Sequence, residues 1–337
     1  MKCRFLVWAL GLVAICAGLS EEALRGAGAT FPFPLYQKWI ASFAEKFPAG
    51  ISYRPIGSSA GVEALRKGEV DFAASDAPLT DRQVAGFASG VRHIPTVVGG
   101  VVPIYHLNGM VRDLRFTGEI LAGIYLGKIR RWDDPRIRAV NHGTTLPAKD
   151  IVVVHRSDGS GTTYIWTDYL SKISEEWRTA AGTGAEVHWP VGTGASGNEG
   201  VADAVGKTAD AIGYVEFIYA LQSRLSYGEV RNAAGHFIAA DLSSLAAAAA
   251  AAPEVKGDDL RMSLTNASGA KSYPIAAFTY FLVARSYETP AKAKLMSAFL
   301  YWMLTSGQKQ SAALGYAALP DEVAKRALNA VEGLQAK

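Results

Sequence analysis

Cysteine is nearly absent from this chain: its 337 residues hold two, Cys3 and Cys16, and both lie within the first twenty positions. Those positions show the pattern of a secretory signal peptide, with a basic start, an apolar run over 5–17 and small residues before two glutamates. We expect residues 1–20 to be removed by cleavage. The remaining chain would then carry no disulfide and would be held together by its core alone.

A lipid anchor through Cys16 is the alternative to simple cleavage. The preceding residue, Ile15, is bulky where such sites need a small side chain, so this alternative is disfavoured. The apolar run is too short to span a membrane comfortably, and no second run of about 18 apolar residues follows it.

An excess of charge of one sign is also missing. The formal net charge is +3, and loss of Lys2 and Arg4 with the signal peptide would leave 32 basic against 31 acidic side chains. This balance excludes a polybasic protein that binds nucleic acid or lipid head groups. Any binding of anions must therefore come from local geometry.

The sequence offers little for catalysis or for metals. Its six histidines show no metal-ligand spacing, so we expect neither a metal nor a cofactor. Residues 205–208 resemble the end of a nucleotide-binding P-loop, but Val201 stands where that motif requires glycine.

The most informative stretch present is 155–163, which reads His-Arg-Ser-Asp-Gly-Ser-Gly-Thr-Thr. It follows a β-branched run over 151–154 and precedes a segment with helical periodicity over 164–173, so the pattern predicts strand, loop and helix. Residues 160–162 would lie at the helix N-terminus, where unpaired N–H groups and a partial positive charge favour an anion. Arg156 would add its guanidinium. An ordinary Ser/Thr-capped helix is the alternative.

Two similar junctions occur earlier in the chain. Thr30 and Phe31 precede a helix that we expect to begin near Pro32. Ser58 lies in the segment 57–61, which leads from a strand over 51–56 into a short helix over 62–67. Strands alternate with helices throughout, which predicts an α/β fold. In such folds ligands bind at the carboxyl ends of strands, beside helix N-termini. All three junctions have that form.

Asp76 ends an expected buried strand over 70–78. A carboxylate that faces an anion repels it unless the ligand supplies a proton, so Asp76 would select a protonated oxyanion. Phosphate and arsenate carry such a proton near neutral pH, whereas sulfate does not. Leaving the carboxylate unpaired would cost at least about 1–3 kcal/mol. The alternative is that Asp76 caps a helix beginning near Pro78.

Two long apolar segments, 94–105 and 274–284, fit strands that cross between two lobes. We therefore expect lobe I to comprise 21–95 together with 274–337, and lobe II to comprise 96–273.

Taken together, these segments resemble the periplasmic phosphate-binding proteins of bacterial ABC phosphate transporters. The matching segments span nearly the whole mature chain in the family's order: 26–32, 57–59, 70–79, 124–129, 156–162 and 211–216. The resemblance implies a two-lobed α/β periplasmic binding protein fold. Each lobe would be a sheet flanked by helices, with the ligand in the cleft between the lobes.

The resemblance also implies the ligand contacts. The implied phosphate-binding residues are Ala29, Thr30, Phe31, Ser58, Asp76, Arg156, Ser160, Gly161 and Thr162. Asp158 would hold the guanidinium of Arg156 in place without contacting the ligand itself. The chain departs from the family pattern at His155, in place of a basic residue, and at Ala60, in place of a glycine.

The resulting hypothesis is a periplasmic receptor, not an enzyme, that captures inorganic phosphate and delivers it to the permease subunits of an ABC transporter. It would act as a monomer, close about a hinge and bind no nucleic acid. One alternative is a secreted phosphoesterase, which would need a nucleophile with a base or a metal pair, and the sequence shows neither arrangement. Another is a receptor for arsenate, sulfate or an organic phosphate.

Overall fold

The computed structural model describes residues 23–47, 50–107, 113–252, 259–332 and 334–336. The predicted signal peptide and both cysteines lie outside these residues. No helix in the described ranges is long and apolar enough to cross a membrane.

The described strands and helices alternate along most of the chain. The strands are β1 (Leu24–Gly28), β2 (Ile51–Arg54), β3 (Phe72–Ser75), β4 (Val91–His106), β5 (Arg115–Phe116), β6 (Val152–Arg156), β7 (Thr193–Ala195), β8 (Ala211–Glu216), β9 (Ser226–Tyr227), β10 (Glu229–Arg231), β11 (Phe237–Ile238), β12 (Ala276–Ala284), β13 (Ser286–Tyr287) and β14 (Gln335–Ala336). The helices are α1 (Phe33–Ala44), α2 (Ser58–Arg66), α3 (Asp81–Ala85), α4 (Gly118–Tyr125), α5 (Pro135–Arg138), α6 (Gly161–Ile173), α7 (Glu175–Ala180), α8 (Gly197–Lys207), α9 (Phe217–Gln222), α10 (Leu242–Ala250), α11 (Pro290–Thr305) and α12 (Asp321–Glu332).

Nine of the described strands form one mixed sheet in the order β2-β1-β3-β12-β4-β8-β6-β7, with β9 alongside β4. The outer pairs on both sides are parallel, whereas β12 runs antiparallel to both β3 and β4, and β4 runs antiparallel to β8. The parallel pairs therefore form two groups, joined through the antiparallel strands in the middle.

Strand β4 links the two parallel groups. Its residues 91–100 pair with β12, and its residues 101–106 pair with β8. The partner strand of β4 changes directly after Gly99 and Gly100. The ring of Phe31 lies close to the backbone there, since a Cβ on Gly99 would be 2.4 Å from it. The predicted long strand over 94–105 is confirmed, with a few more residues at its start.

The helices that matter for the site begin close to where the sequence places them. α6 follows β6 after a short loop, and α1 begins one residue after Pro32. Helix α2 begins earlier than expected, at Ser58, because Gly57 takes a positive φ of 93° that turns the chain directly into the helix. Strand β1 has no signal in the sequence pattern, and its parallel pairing with β2 and β3 fixes the position of Thr30.

The C-terminal half of β8 also differs from the prediction. The sequence pattern predicts a strand over 211–214 followed by a helix over 215–222. Val215 and Glu216 instead remain in the strand, paired with Val102 and Val101 of β4. Helix α9 therefore begins at Phe217, with Glu216 as its cap. This shift buries a carboxyl group beside the centre of the sheet.

Candidate anion-binding site

The three predicted helix junctions meet in the folded chain. The hydroxyl oxygen of Ser58 accepts a hydrogen bond from the backbone N–H of Gly161 at 3.0 Å, and the N–H of Ser59 donates to the carbonyl of Gly159 at 3.1 Å. The first turns of α2 and α6 therefore face each other. N–H groups in a first helical turn have no intrahelical acceptor, so both helix ends direct donors into the space between them.

Thr30 is brought to the same place by Asn198, which lies in the first turn of α8. The side-chain nitrogen of Asn198 donates to the hydroxyl oxygens of Thr30 at 2.8 Å and Thr162 at 3.1 Å. Sequence reasoning missed Asn198. The sequence feature that could have identified Asn198 is its position in the Gly-rich segment 192–200, directly before a helix. This is the same kind of loop-to-helix junction as those at Thr30, Ser58 and Ser160.

The backbone between β1 and α1 is held by three tyrosine hydroxyls. Those hydroxyls donate to the carbonyls of three successive residues, at distances of 2.6–2.8 Å. In chain order the pairs are Ala29 with Tyr53, Thr30 with Tyr219 and Phe31 with Tyr316. The N–H of Ala29 donates to the carbonyl of Ala74 at 2.9 Å, so this N–H is engaged within the sheet.

Asp76 follows β3 and is almost completely buried, with 2% of its surface exposed. Thr279 of β12 donates to its Oδ1, whereas its Oδ2 has no hydrogen-bond partner in the described part of the chain. Burial raises the pKa of Asp76 to about 7, against the lowering effects of the Thr279 hydrogen bond and the charge of Arg156. The alternative role of Asp76 as a helix cap is wrong, because the next helix, α3, is capped by Thr80.

Gly161 lets Asp76 approach the end of α6. A Cβ on Gly161 would lie 2.5 Å from Oδ2 of Asp76 and 2.6 Å from the hydroxyl of Ser58. Any larger residue would displace one of these side chains. The unpaired carboxylate oxygen therefore lies against the same helix end that presents the N–H donors.

Arg156 ends β6 and is held in place by Asp158. Its Nε donates to one carboxylate oxygen of Asp158 at 2.7 Å and its Nη2 to the other at 2.5 Å, while Nη1 lies 3.4 Å from the hydroxyl of Thr162. Burial alone would raise the pKa of Asp158, but the hydrogen bonds and charge of Arg156 outweigh it and lower that pKa. Asp158 also accepts from the N–H of Gly197, which ties α8 to this pair.

Ser160 has a local task in this arrangement. Its hydroxyl caps α6 by accepting from the N–H of Thr163 at 3.1 Å, and its side chain is fully buried. The alternative reading of residues 155–163 as a capped helix is thus part of the structure, and it coexists with the convergence of Ser58, Asp76 and Arg156 on the same helix end.

Glu216 is a second buried carboxyl group that sequence reasoning did not place in the site. Its Oε2 accepts from the N–H of Ile218, and its own N–H donates to the side-chain oxygen of Asn198 at 2.9 Å. Burial raises the pKa of Glu216 well above its ordinary range, and the nearby charge of Asp76 raises it further.

The two departures from the family pattern lie beside the site. The ring of His155 stacks on Trp189, with ring centres 4.8 Å apart, and Ala60 is exposed on α2. His155 therefore packs against an aromatic ring near the end of β6. Within the described ranges, no group of three His, Cys, Asp or Glu side chains is placed to hold a metal ion.

Comparison with known proteins identifies relatives along the whole chain. A family model described as a PBP superfamily domain matches residues 17–306. The chain is 40% identical to the phosphate-binding protein PstS of Pasteurella multocida, over 97% of this chain and 94% of that protein. It is 39% identical to the PstS protein of Methanocaldococcus jannaschii, over 93% and 86% of the two chains.

Solved structures give the fold. A high-affinity periplasmic phosphate-binding protein, PfluDING, bound with phosphate, is 20% identical and superimposes with a TM-score of 0.73 over 90% of this chain and 92% of its own. A phosphate-bound putative phosphate ABC transporter substrate-binding protein from Clostridium perfringens gives a TM-score of 0.65 at 20% identity, over 89% of this chain and 100% of its own. The predicted fold class, an α/β two-lobed periplasmic binding protein, is confirmed.

Proposed function

The chain belongs to the PstS phosphate-binding proteins of the PBP superfamily, and on that premise we propose that it binds inorganic phosphate in the periplasm and delivers it to an ABC-type import permease. The observation that carries this proposal is the unpartnered Oδ2 of Asp76, a buried acceptor placed among hydrogen-bond donors. Its relatives are named as binding proteins, and the proposal involves no covalent chemistry.

The donors around Asp76 favour an oxyanion. The proposed ligand contacts are the hydroxyls of Thr30, Ser58, Ser160 and Thr162, the backbone N–H of Phe31 and the guanidinium of Arg156. The N–H groups of Ala29 and Gly161, which the resemblance also implies as ligand contacts, already donate to Ala74 and Ser58 and would border the ligand. Charge-assisted hydrogen bonds from the guanidinium would be the strongest of these. An oxyanion that also carries a proton can donate it to Asp76, so phosphate satisfies both the donors and the acceptor.

The proposal includes a division into two lobes that close on the ligand. Lobe I would comprise 21–95 and 274–337, and lobe II 96–273, with the two connecting strands β4 and β12 near the hinge. The ligand would stabilise the closed state because Asp76 and Arg156, from different lobes, contact it together only when the lobes meet. We further propose that residues 1–20 are cleaved on export and that the mature protein is a monomer.

The phosphoesterase alternative finds little support in the geometry. The chain contains one Gly-x-Ser-x-Gly segment, 57–61, which places Ser59 in the first turn of α2. Among the described residues no histidine forms a hydrogen bond with the hydroxyl of Ser59, so the geometry gives this serine no activating histidine. Turnover of p-nitrophenyl phosphate by the purified protein would contradict the proposal.

Isothermal titration of the mature, phosphate-free protein with phosphate, arsenate and sulfate tests the proposal directly. At pH 8, where Asp76 is ionised, we expect tight binding of phosphate, measurable binding of arsenate and at least a hundredfold weaker binding of sulfate, because the unpaired Oδ2 of Asp76 repels a ligand without a proton (about 2.7 kcal/mol for a hundredfold). Equal binding of sulfate and phosphate would overturn it.

A further inference from the structure

Asn198 forms hydrogen bonds with three residues outside its own helix, α8. It is fully buried, and its side-chain nitrogen donates to the hydroxyl oxygens of both Thr30 and Thr162. Its backbone N–H lies 3.4 Å from the same oxygen of Thr30, and its side-chain oxygen accepts from the N–H of Glu216 at 2.9 Å.

The orientation of the Asn198 amide is fixed by Glu216. A backbone N–H can only donate, so the atom of Asn198 that faces Glu216 must be the oxygen. The NH2 group must then face the two threonines, and an NH2 group can only donate. The two hydroxyl oxygens are thereby forced to accept hydrogen bonds from Asn198.

The lone pairs of both threonine oxygens are then fully used. A hydroxyl has two lone pairs and one proton. Thr30 accepts from the side chain and, at longer range, the backbone of Asn198, whereas Thr162 accepts from Asn198 and, at 3.4 Å, from Arg156. Each hydroxyl is left with its proton to donate, and within the described chain neither proton has an acceptor.

We propose that Asn198 is a positioning residue that fixes the hydroxyls of Thr30 and Thr162 as obligate donors toward the ligand. The inference rests on the proposed function, since it assigns these two donors to the bound oxyanion. A ligand that is rich in acceptors satisfies both hydroxyls. A ligand that offers fewer than two acceptors leaves at least one buried O–H unpaired, so Asn198 contributes to selectivity as well as to affinity.

A merely structural role for Asn198 predicts different behaviour. If the side chain only packs α8 against the site, its loss costs affinity whether or not the threonine hydroxyls are present. If it acts by orienting those hydroxyls, its loss costs affinity only while they are there. A double-mutant cycle separates the two cases.

The test measures phosphate affinity by isothermal titration of the mature, phosphate-free protein. We expect Asn198→Ala to weaken binding about tenfold in the natural background, and less than about twofold in a background with Thr30→Val and Thr162→Val. Asn198→Asp, which presents acceptors to the threonines, should weaken binding more at pH 8 and approach the natural protein as the pH falls and the new carboxyl group takes up a proton.

A matched control is Asn232→Ala, which removes another buried amide. The Asn232 side chain donates to the carbonyls of Gly269, Ala270 and Ser272 and forms no hydrogen bond with the site residues named above. It should leave the phosphate affinity unchanged. An equal loss for Asn198→Ala in both backgrounds, or no loss in the natural one, overturns the inference while the proposed function stands. Failure of the natural protein to bind phosphate at all overturns the proposed function instead. If Asn198→Ala does not fold, the isosteric Asn198→Asp variant is carried through the same cycle.

Discussion

Burial of Asp76 should make the ligand-free protein less stable as the pH rises toward neutrality, and Asp76→Asn should remove that loss. In the unfolded chain this carboxyl group releases its proton near its ordinary pKa of 3.8, whereas in the folded protein it holds the proton until about pH 7. Between those values the native state binds more protons than the unfolded state. Stability from this group is therefore complete below about pH 4 and is lost as the pH rises to 7.

The magnitude follows from the same two pKa values. Each pH unit between 3.8 and about 7 changes the free energy of unfolding by about 1.4 kcal/mol, so the full loss amounts to roughly 4 kcal/mol. This is a large part of the stability of an ordinary domain, about 5–15 kcal/mol. Asparagine has no charge to desolvate, so the variant escapes the whole loss.

Urea unfolding in phosphate-free buffer at several pH values between 5 and 8 measures the effect. Relative to Asp76→Asn, the natural protein should lose about 2–3 kcal/mol of unfolding free energy between pH 5 and pH 7. Above about pH 7 the difference between the two proteins should stay constant. The other carboxyl groups are present in both proteins, so their contributions to the pH dependence cancel in the difference. Glu216 is the exception, because the charge of Asp76 contributes to its raised pKa.

Thr279→Val provides a companion variant. The hydrogen bond from Thr279 lowers the pKa of Asp76, so its removal should carry the loss of stability to higher pH. A stability difference between the natural protein and Asp76→Asn that does not change with pH would refute the reasoning, because it would mean that the carboxyl group is ionised throughout.

The remaining predictions concern ligand binding and use the same titrations. Asp76→Asn should keep phosphate binding measurable but reduce the discrimination against sulfate, and unchanged discrimination would show that the carboxylate does not face the ligand. Arg156→Ala should cost more phosphate affinity than Thr30→Val, because charge-assisted hydrogen bonds are about twice as strong as neutral ones; equal losses would contradict that ranking. Gly161→Ala should abolish phosphate binding, since its Cβ would lie 2.5 Å from Asp76, whereas Gly206→Ala, whose Cβ meets a neighbour at 3.4 Å, should bind normally. Phosphate binding by both alanine variants would show that a Cβ at residue 161 fits beside Asp76, contrary to this reasoning.

Local sequence patterns were sufficient for the parts of the site that a single segment encodes. The β-branched run before 155–163 and the helical periodicity after it predict the strand, loop and helix around Arg156 correctly. Pro290 and the apolar periodicity over 290–305 likewise predict a helix with the bounds observed for α11. These features depend on interactions between residues near one another in the chain.

The elements that were missed depend on distant partners. Strand β1 contains two glycines and one arginine, a poor strand by composition, and it forms because β2 and β3 pair with it on both sides. Glu216 stays in β8 because β4 pairs with it. Asn198 contributes through contacts with Thr30, 168 positions away, which no local pattern reveals.

The central position of β12 has a consequence for the synthesis of this protein. β3 and β4 are separated by 15 residues in sequence, yet they flank a strand that begins at Ala276. During synthesis, which starts at the N-terminus, both strands therefore expose unpaired backbone until the last fifth of the chain appears. Exposed strand edges pair with strands of other chains. Any nascent or truncated chain that ends before Ala276 should aggregate unless a chaperone covers that gap.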